Sequence, residues 1–235
     1  MNTEIREGTK ARPLRSYGRR KGKQLTARKE KLIADLLPEL RPNLSRPAPR
    51  DVGALFGGAV QDVWLEVGFG GGEHLLWQAR ANPEIGMVGC EPFINGVASL
   101  LGGIDEHGID NIRIHDGDAR DLIAWLPQHS VARVFILFPD PWPKKRQTKR
   151  RLVSPELVHS LSQVLVRGGE LRFASDDMNY VRVVLRTILK NDAFVWIARR
   201  ADDWRERPAD WPETRYERKA LGAGRKPAYL SFRRR

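Results

Sequence analysis

Asp140 stands between Pro139 and Pro141, beside Trp142, and is followed by Lys144, Lys145, Arg146, Lys149, Arg150 and Arg151. One carboxylate held between two rigid residues, next to an indole and a dense cationic run, marks a ligand site rather than a simple turn. A second constellation precedes it, Glu66-Val67-Gly68-Phe69-Gly70-Gly71-Gly72-Glu73, a glycine turn bracketed by acids. Such glycines let the chain turn sharply and bring its backbone close to a ligand, and the helix start that follows offers free N–H groups. The spacing is not that of a dinucleotide fingerprint, whose third glycine would fall at position 73, where Glu73 would face a pyrophosphate. There is no GxxxxGK[ST] run either, which excludes a triphosphate loop of that kind. The histidines at 74, 107, 115, 129 and 159 show no zinc-ligand spacing, so no metal site is expected.

The elements needed to position these residues can be read from hydropathy. An apolar run over 131–138 predicts a buried strand that delivers Asp140 at its carboxyl end, where ligands bind in open α/β sheets. Strands are expected at 62–67, 85–90, 111–115, 131–138, 170–174, 194–198 and 228–232. Helices are expected near 26–37, 72–81, 93–107, 119–126 and 177–190, with a further one capped by Ser154, opened by Pro155 and closed by Gly168-Gly169. Strand and helix alternate, so the fold class is α/β, a Rossmann-like, mostly parallel seven-stranded sheet with helices on both faces. Between the last two strands lies a long polar insertion with Trp204 and Trp211, read as core anchors. Glu91 closes the second strand, where an acid can take ribose hydroxyls, and Asp118 follows the third strand as a further acid at a carboxyl end.

Composition narrows the partner. The 235 residues carry 41 Lys and Arg against 29 Asp and Glu, a net charge of +12, which makes nucleic acid the leading polyanionic partner. Residues 1–24 concentrate Arg6, Lys10, Arg12, Arg15, Arg19, Arg20, Lys21 and Lys23 among glycines and read as a basic arm that contacts phosphates. The division expected is 1–50 for this partly disordered arm and a short helix, and 51–235 for the catalytic domain. No apolar run approaches the ~20 residues of a membrane span, and no signal peptide is visible, so a cytoplasmic protein is expected. Cys90, the single cysteine, falls in an apolar stretch and reads as packing.

Glu66, Gly68, Gly70 and Gly72 match the [DE]xGxGxG pattern of class I S-adenosylmethionine-dependent methyltransferases, whose cofactor is cationic at sulfur and carries no phosphate. The run FPDPW with its following KRR, the Ser175-Asp176 pair, and Thr214-Arg215-Tyr216-Glu217-Arg218-Lys219 closely resemble segments of the bacterial tRNA (guanine-N7-)-methyltransferase family. The resemblance runs from about Glu66 to the C-terminus. It implies methyl transfer from S-adenosyl-L-methionine to N7 of guanine 46 in the variable loop of tRNA. Carried over residue by residue, it implies cofactor contacts from Glu66, Gly68, Gly70, Gly72, Glu91, Asp118, Ala119 and Asp140, with Asp140 also the catalytic position. It places Lys144, Asp176 and Thr214, Arg215, Tyr216 and Glu217 at the target nucleotide, with Arg146, Lys149, Arg150 and Arg151 on the RNA. Asp176 and Glu217 are the candidates for the guanine N1–H and amino edge, while Trp142 either stacks on the base or supports its loop. An amino-group methyltransferase on RNA or DNA is the nearest alternative, disfavoured by Trp142 where that motif has a second proline. A non-catalytic nucleic-acid-binding protein of the same fold is the other, and monomer and homodimer are equally open.

Overall fold

The computed structural model of the chain describes Gly18, residues 20–58 and residues 60–235. Arg6, Lys10, Arg12, Arg15 and Arg19 of the expected arm lie outside them. Strands β1 (Asp62–Val67), β2 (Ile85–Cys90), β3 (Ile112–His115), β4 (Val131–Leu137), β5 (Leu165–Ser175), β6 (Phe194–Trp196) and β7 (Ala228–Arg234) form one sheet in the order β3-β2-β1-β4-β5-β7-β6. Strands β1 to β5 pair in parallel, and β7 runs antiparallel to both β5 and β6. The chain moves outward from β1 to β3 and then returns to place β4 on the other side of β1. That reversal opens a crevice beyond the carboxyl ends of β1 and β4.

The helices are α1 (Ala27–Asp35), α2 (Leu37–Leu40), α3 (Glu73–Ala81), α4 (Ile94–His107), α5 (Ala119–Trp125), α6 (Pro155–Val164), α7 (Met178–Leu189), α8 (Asp202–Arg205) and α9 (Arg215–Gly222). Strand side chains alternate between faces, and the core divides accordingly. Val63, Leu65 and Val67 of β1 point to the face covered by α5, α6 and α7. Met87 and Ile112 point to the other, where α3 and α4 pack together with Leu37 and Leu40 of α2. On this second face, among the described residues, a small separate cluster covers β4 and β5. Trp211 of the insertion lies there against Phe135, Ala174 and Tyr229, so it is an anchor, and Trp204 packs against the larger core on the opposite side.

Charges fix the insertion further. Asp210 accepts from Arg172 at 2.7 Å, and Arg133, whose guanidinium lies 4.1 Å above the Trp64 ring, approaches Asp210 at 3.5 Å. Two expectations are corrected. The first helix, expected over 26–37, already ends at Asp35, and Leu37 opens a separate short α2 in which Pro38 occupies the first turn, where its missing N–H is harmless. The Gly168-Gly169 pair lies inside β5, where Gly168 at φ 80° accompanies the register shift against β4, and the preceding helix already ends at Val164.

Candidate active site

The crevice is a cavity of about 630 Å³, within the range of small-molecule sites. Gly68, Gly70, Glu91, Asp118, Ala119, Asp140 and Trp142 line it together with Lys149, Arg150 and Arg151. Most of the residues anticipated for the cofactor thus share one space with Lys149, Arg150 and Arg151, whereas Glu66, Gly72, Lys144 and Arg146 lie outside its lining. Gly68 and Gly70 adopt φ of 77° and 57°, and a Cβ on Gly68 would meet nothing within 4 Å, so its open side is available to a ligand. Gly72, also left-handed, faces Leu100 of α4 and serves helix packing rather than the cavity wall.

Each acid is positioned by a different device. Glu91 accepts from Phe93 N–H at 2.9 Å and from Gly70 N–H at 2.8 Å, tying the glycine loop to the turn before α4. Burial pushes its carboxyl above the ordinary range, against the pull of those two amides. Asp118 caps α5 by accepting from Arg120 N–H at 3.0 Å, and the Arg120 guanidinium grips the same carboxylate. Burial opposes ionisation there, but the guanidinium and the amide together hold the carboxyl below its usual value. Glu66 is buried beneath the loop, 2.7 Å from His74 Nδ1, and borders a second, small cavity with Gly71, Thr214, Arg215 and Tyr216.

Asp140 differs from all of these, since it is exposed and among the described residues makes no hydrogen bond or ion pair. Its loop is built under strain. Phe138 and Trp142 both have positive φ, 50° and 42°, on either side of the two prolines, a conformation that costs about 1–3 kcal/mol at a bulky residue and persists only where neighbours enforce it. The enforcement is visible. Phe138 N–H donates to Ala174 O at 2.7 Å, Arg151 Nε donates to Pro141 O at 2.8 Å, and the Arg150 guanidinium sits 5.0 Å from the Trp142 ring. Arg151 also lies 4.8 Å over Tyr180, so its contacts run inward to the loop. Lys144, Arg146 and Lys149 are exposed around the following 3-10 turn over Lys145–Arg150.

The segment 214–217 approaches from the far side. Thr214 caps α9, its Oγ accepting from Glu217 N–H at 3.2 Å, half of a T-x-x-E capping box that the sequence displays. Glu217 turns inward at 3% exposure, accepts from Tyr229 O–H at 2.6 Å and pairs with Arg207 at 3.0 Å. Burial, then the Glu217 contact, push the Tyr229 hydroxyl well up, keeping it a donor. Arg215 N–H donates to Glu73 at 2.6 Å, and the half-exposed Tyr216 ring covers Gly70. Asp176 is engaged by Arg225 at 2.6 Å. Sequence reasoning missed Arg120, His74 and Gln78, although the Asp118-x-Arg120 and His74-x-x-x-Gln78 spacings place partners within reach. It also missed Phe93 and Pro92 on the cavity wall, for which no local signal exists.

A sequence-family profile described as "Putative methyltransferase" matches residues 60–229. A tRNA (guanine-N(7)-)-methyltransferase of Rhodospirillum rubrum is 52% identical over 224 residues, covering 94% of this chain and 88% of that protein. One of Ruegeria pomeroyi is 50% identical over 234 residues, covering 96% and 97%. Among solved structures, the 16S rRNA methyltransferase KamB superposes with a TM-score of 0.55 at 14% identity over 77% of this chain and 92% of that one. TrmN from Thermus thermophilus gives 0.55 at 14% over 78% and 47%. These two establish likeness of fold.

Proposed function

The chain belongs to the tRNA (guanine-N(7)-)-methyltransferase family, and on that premise we propose that it transfers the methyl group of S-adenosyl-L-methionine to N7 of guanine 46 in the variable loop of tRNA. The observation that carries this reading is the cavity at the β1/β4 crevice, where Asp140, without an ion pair among the described residues, faces the same space as Glu91, Asp118 and the cationic turn at 149–151. The donor set suits the cofactor. Carboxylates surround a cavity with no phosphate-binding loop, which favours a ligand bearing hydroxyls, an amine and a positive charge.

When bound, S-adenosyl-L-methionine supplies an electrophilic methyl group on its sulfonium. Glu91 would hold ribose hydroxyls with the acceptor capacity its two amide contacts leave, and Asp118 with Ala119 would border the adenine. Guanine N7 already bears a lone pair, so no general base is required. The chain's contribution is alignment, worth up to ~7–11 kcal/mol for well-oriented groups, together with a carboxylate at Asp140 that favours the positive charge the guanine acquires. Asp140 is accordingly an orienting and electrostatic group.

Lys144 and Asp176 would meet the target nucleotide, Asp176 by exchanging Arg225, a partly exposed pair of small worth. Glu217, buried between Tyr229 and Arg207, would hold Thr214, Arg215 and Tyr216 toward the cavity. Arg146, Lys149, Arg150 and Arg151 would follow the RNA backbone, Arg151 also securing the Asp140 loop through Pro141 O. Incubating the protein with unmodified tRNA transcript and radiolabelled S-adenosylmethionine, then mapping the modified nucleoside, tests the reading. Label at N7 of guanine 46 is expected, and label on an exocyclic amine, or none despite firm tRNA binding, would refute it.

A further inference from the structure

The start of α3 holds two buried polar residues that methyl transfer leaves unused. His74 and Gln78 are 3% and 1% exposed and lie one turn apart, so they share a helix face. His74 Nδ1 is 2.7 Å from Glu66 Oε2, and His74 Nε2 is 3.1 Å from Gln78 Nε2. The same Gln78 nitrogen donates to the Asp210 carbonyl at 2.7 Å, while Gln78 Oε1 accepts from Asn82 Nδ2 at 3.1 Å.

The proton positions follow from the ends of this chain. A carbonyl oxygen only accepts, and an amide nitrogen only donates. Asp210 O therefore fixes the orientation of the Gln78 amide, and Asn82 at its other end agrees. With one Gln78 hydrogen on Asp210 O, the second points at His74 Nε2, which must be an acceptor. The imidazole proton then sits on Nδ1 and goes to the Glu66 carboxylate. Every member of the chain is satisfied, which is the condition under which a buried polar network specifies one arrangement.

We propose that His74 is a positioning residue for Glu66, and that the Asp210–Gln78–His74–Glu66 chain ties the insertion leading to Thr214 and Tyr216 to the acid beneath the glycine loop. This rests on the reading of Glu66 as a carboxylate of the cofactor site. The insertion meets the same loop at two further points, through Arg215 N–H on Glu73 at 2.6 Å and through the Tyr216 ring over Gly70. The position of the target segment is thus set against the cofactor loop by α3.

Calorimetry with S-adenosylhomocysteine as probe, alongside steady-state kinetics, separates this role from simple packing. His74→Leu keeps bulk but removes the donor, and should weaken the probe about tenfold or more, the scale of a lost hydrogen bond to a charged acceptor, with a smaller change in KM for tRNA. His74→Asn places an amide nitrogen near the Nδ1 position and should recover binding to within about threefold, since the charged contact is restored. In the wild-type protein, nitrogen NMR of His74 should show the proton on Nδ1. A proton on Nε2, or unchanged probe affinity in His74→Leu, would overturn the inference while leaving the cofactor reading intact. Wild-type protein that fails to bind the probe would overturn the cofactor reading itself.

Discussion

Replacing Gly96 by alanine is the sharpest single test of how the cofactor loop is built. Gly96 lies in the first turn of α4, and a Cβ there would fall 2.0 Å from Gly70 O and 3.5 Å from Glu91 Cγ. The obstructing oxygen is backbone, and Gly70 is itself held, its N–H by Glu91 at 2.8 Å and its open side by the Tyr216 ring. No side-chain rotation absorbs the methyl group, so α4 or the glycine loop must move. Overpacking of this kind costs about 1–3 kcal/mol, and for a domain of this size each kcal/mol is about 2–4 °C of melting temperature. Gly96→Ala should therefore melt about 2–12 °C lower by scanning fluorimetry and bind S-adenosylhomocysteine more weakly, because the displaced atoms belong to the cavity wall. Gly102 provides the internal control. It lies in the same helix, and a Cβ there meets nothing within 4 Å. Alanine is the better helix former by up to about 1 kcal/mol, so Gly102→Ala should melt at or above the wild type with affinity unchanged. A Gly96→Ala protein that melts and binds like the wild type would refute the close approach of α4 to the glycine loop.

Asp140→Asn preserves shape and removes charge, and should lower kcat about tenfold to a hundredfold while the affinities for S-adenosylhomocysteine and tRNA stay near wild type; full turnover in single-turnover assays would remove Asp140 from the chemistry. Tyr229→Phe deprives Glu217 of its 2.6 Å donor, costing about 1–3 kcal/mol in denaturant unfolding and lowering kcat/KM for tRNA with little change in cofactor affinity. Burial pushes the Cys90 thiol well up, so at neutral pH a disulfide reagent should leave the native protein unlabelled and label one thiol after denaturation.

The central sheet could be read from sequence because its parallel strands are buried on both faces and so appear as short apolar runs between turn signals. The boundaries of β1 and β2 agree to the residue. The acids at the strand ends were equally visible, because an α/β sheet gathers successive carboxyl ends on one side. What sequence could not show is which long-range partner each acid meets. Asp176 finds Arg225, 49 positions away, and Asp210 finds Arg172, 38 away; no local pattern encodes such pairs. The insertion was the least readable part, because α8 and α9 are short and polar and are fixed by Trp211 and Glu217, which are buried, and by the ion pair of Asp210 with Arg172. Arg151 shows the same limit within a basic run, since only the fold distinguishes the cation that braces Pro141 from its exposed neighbours.

The most direct measurement is single-atom replacement in the substrate, with tRNA carrying 7-deazaguanine at position 46 compared against the same tRNA with guanine. Direct attack by the N7 lone pair predicts methyl incorporation into the guanine tRNA and none into the 7-deaza tRNA, with the two binding equally well. Equal incorporation into both would place the methyl group on another atom and contradict the account.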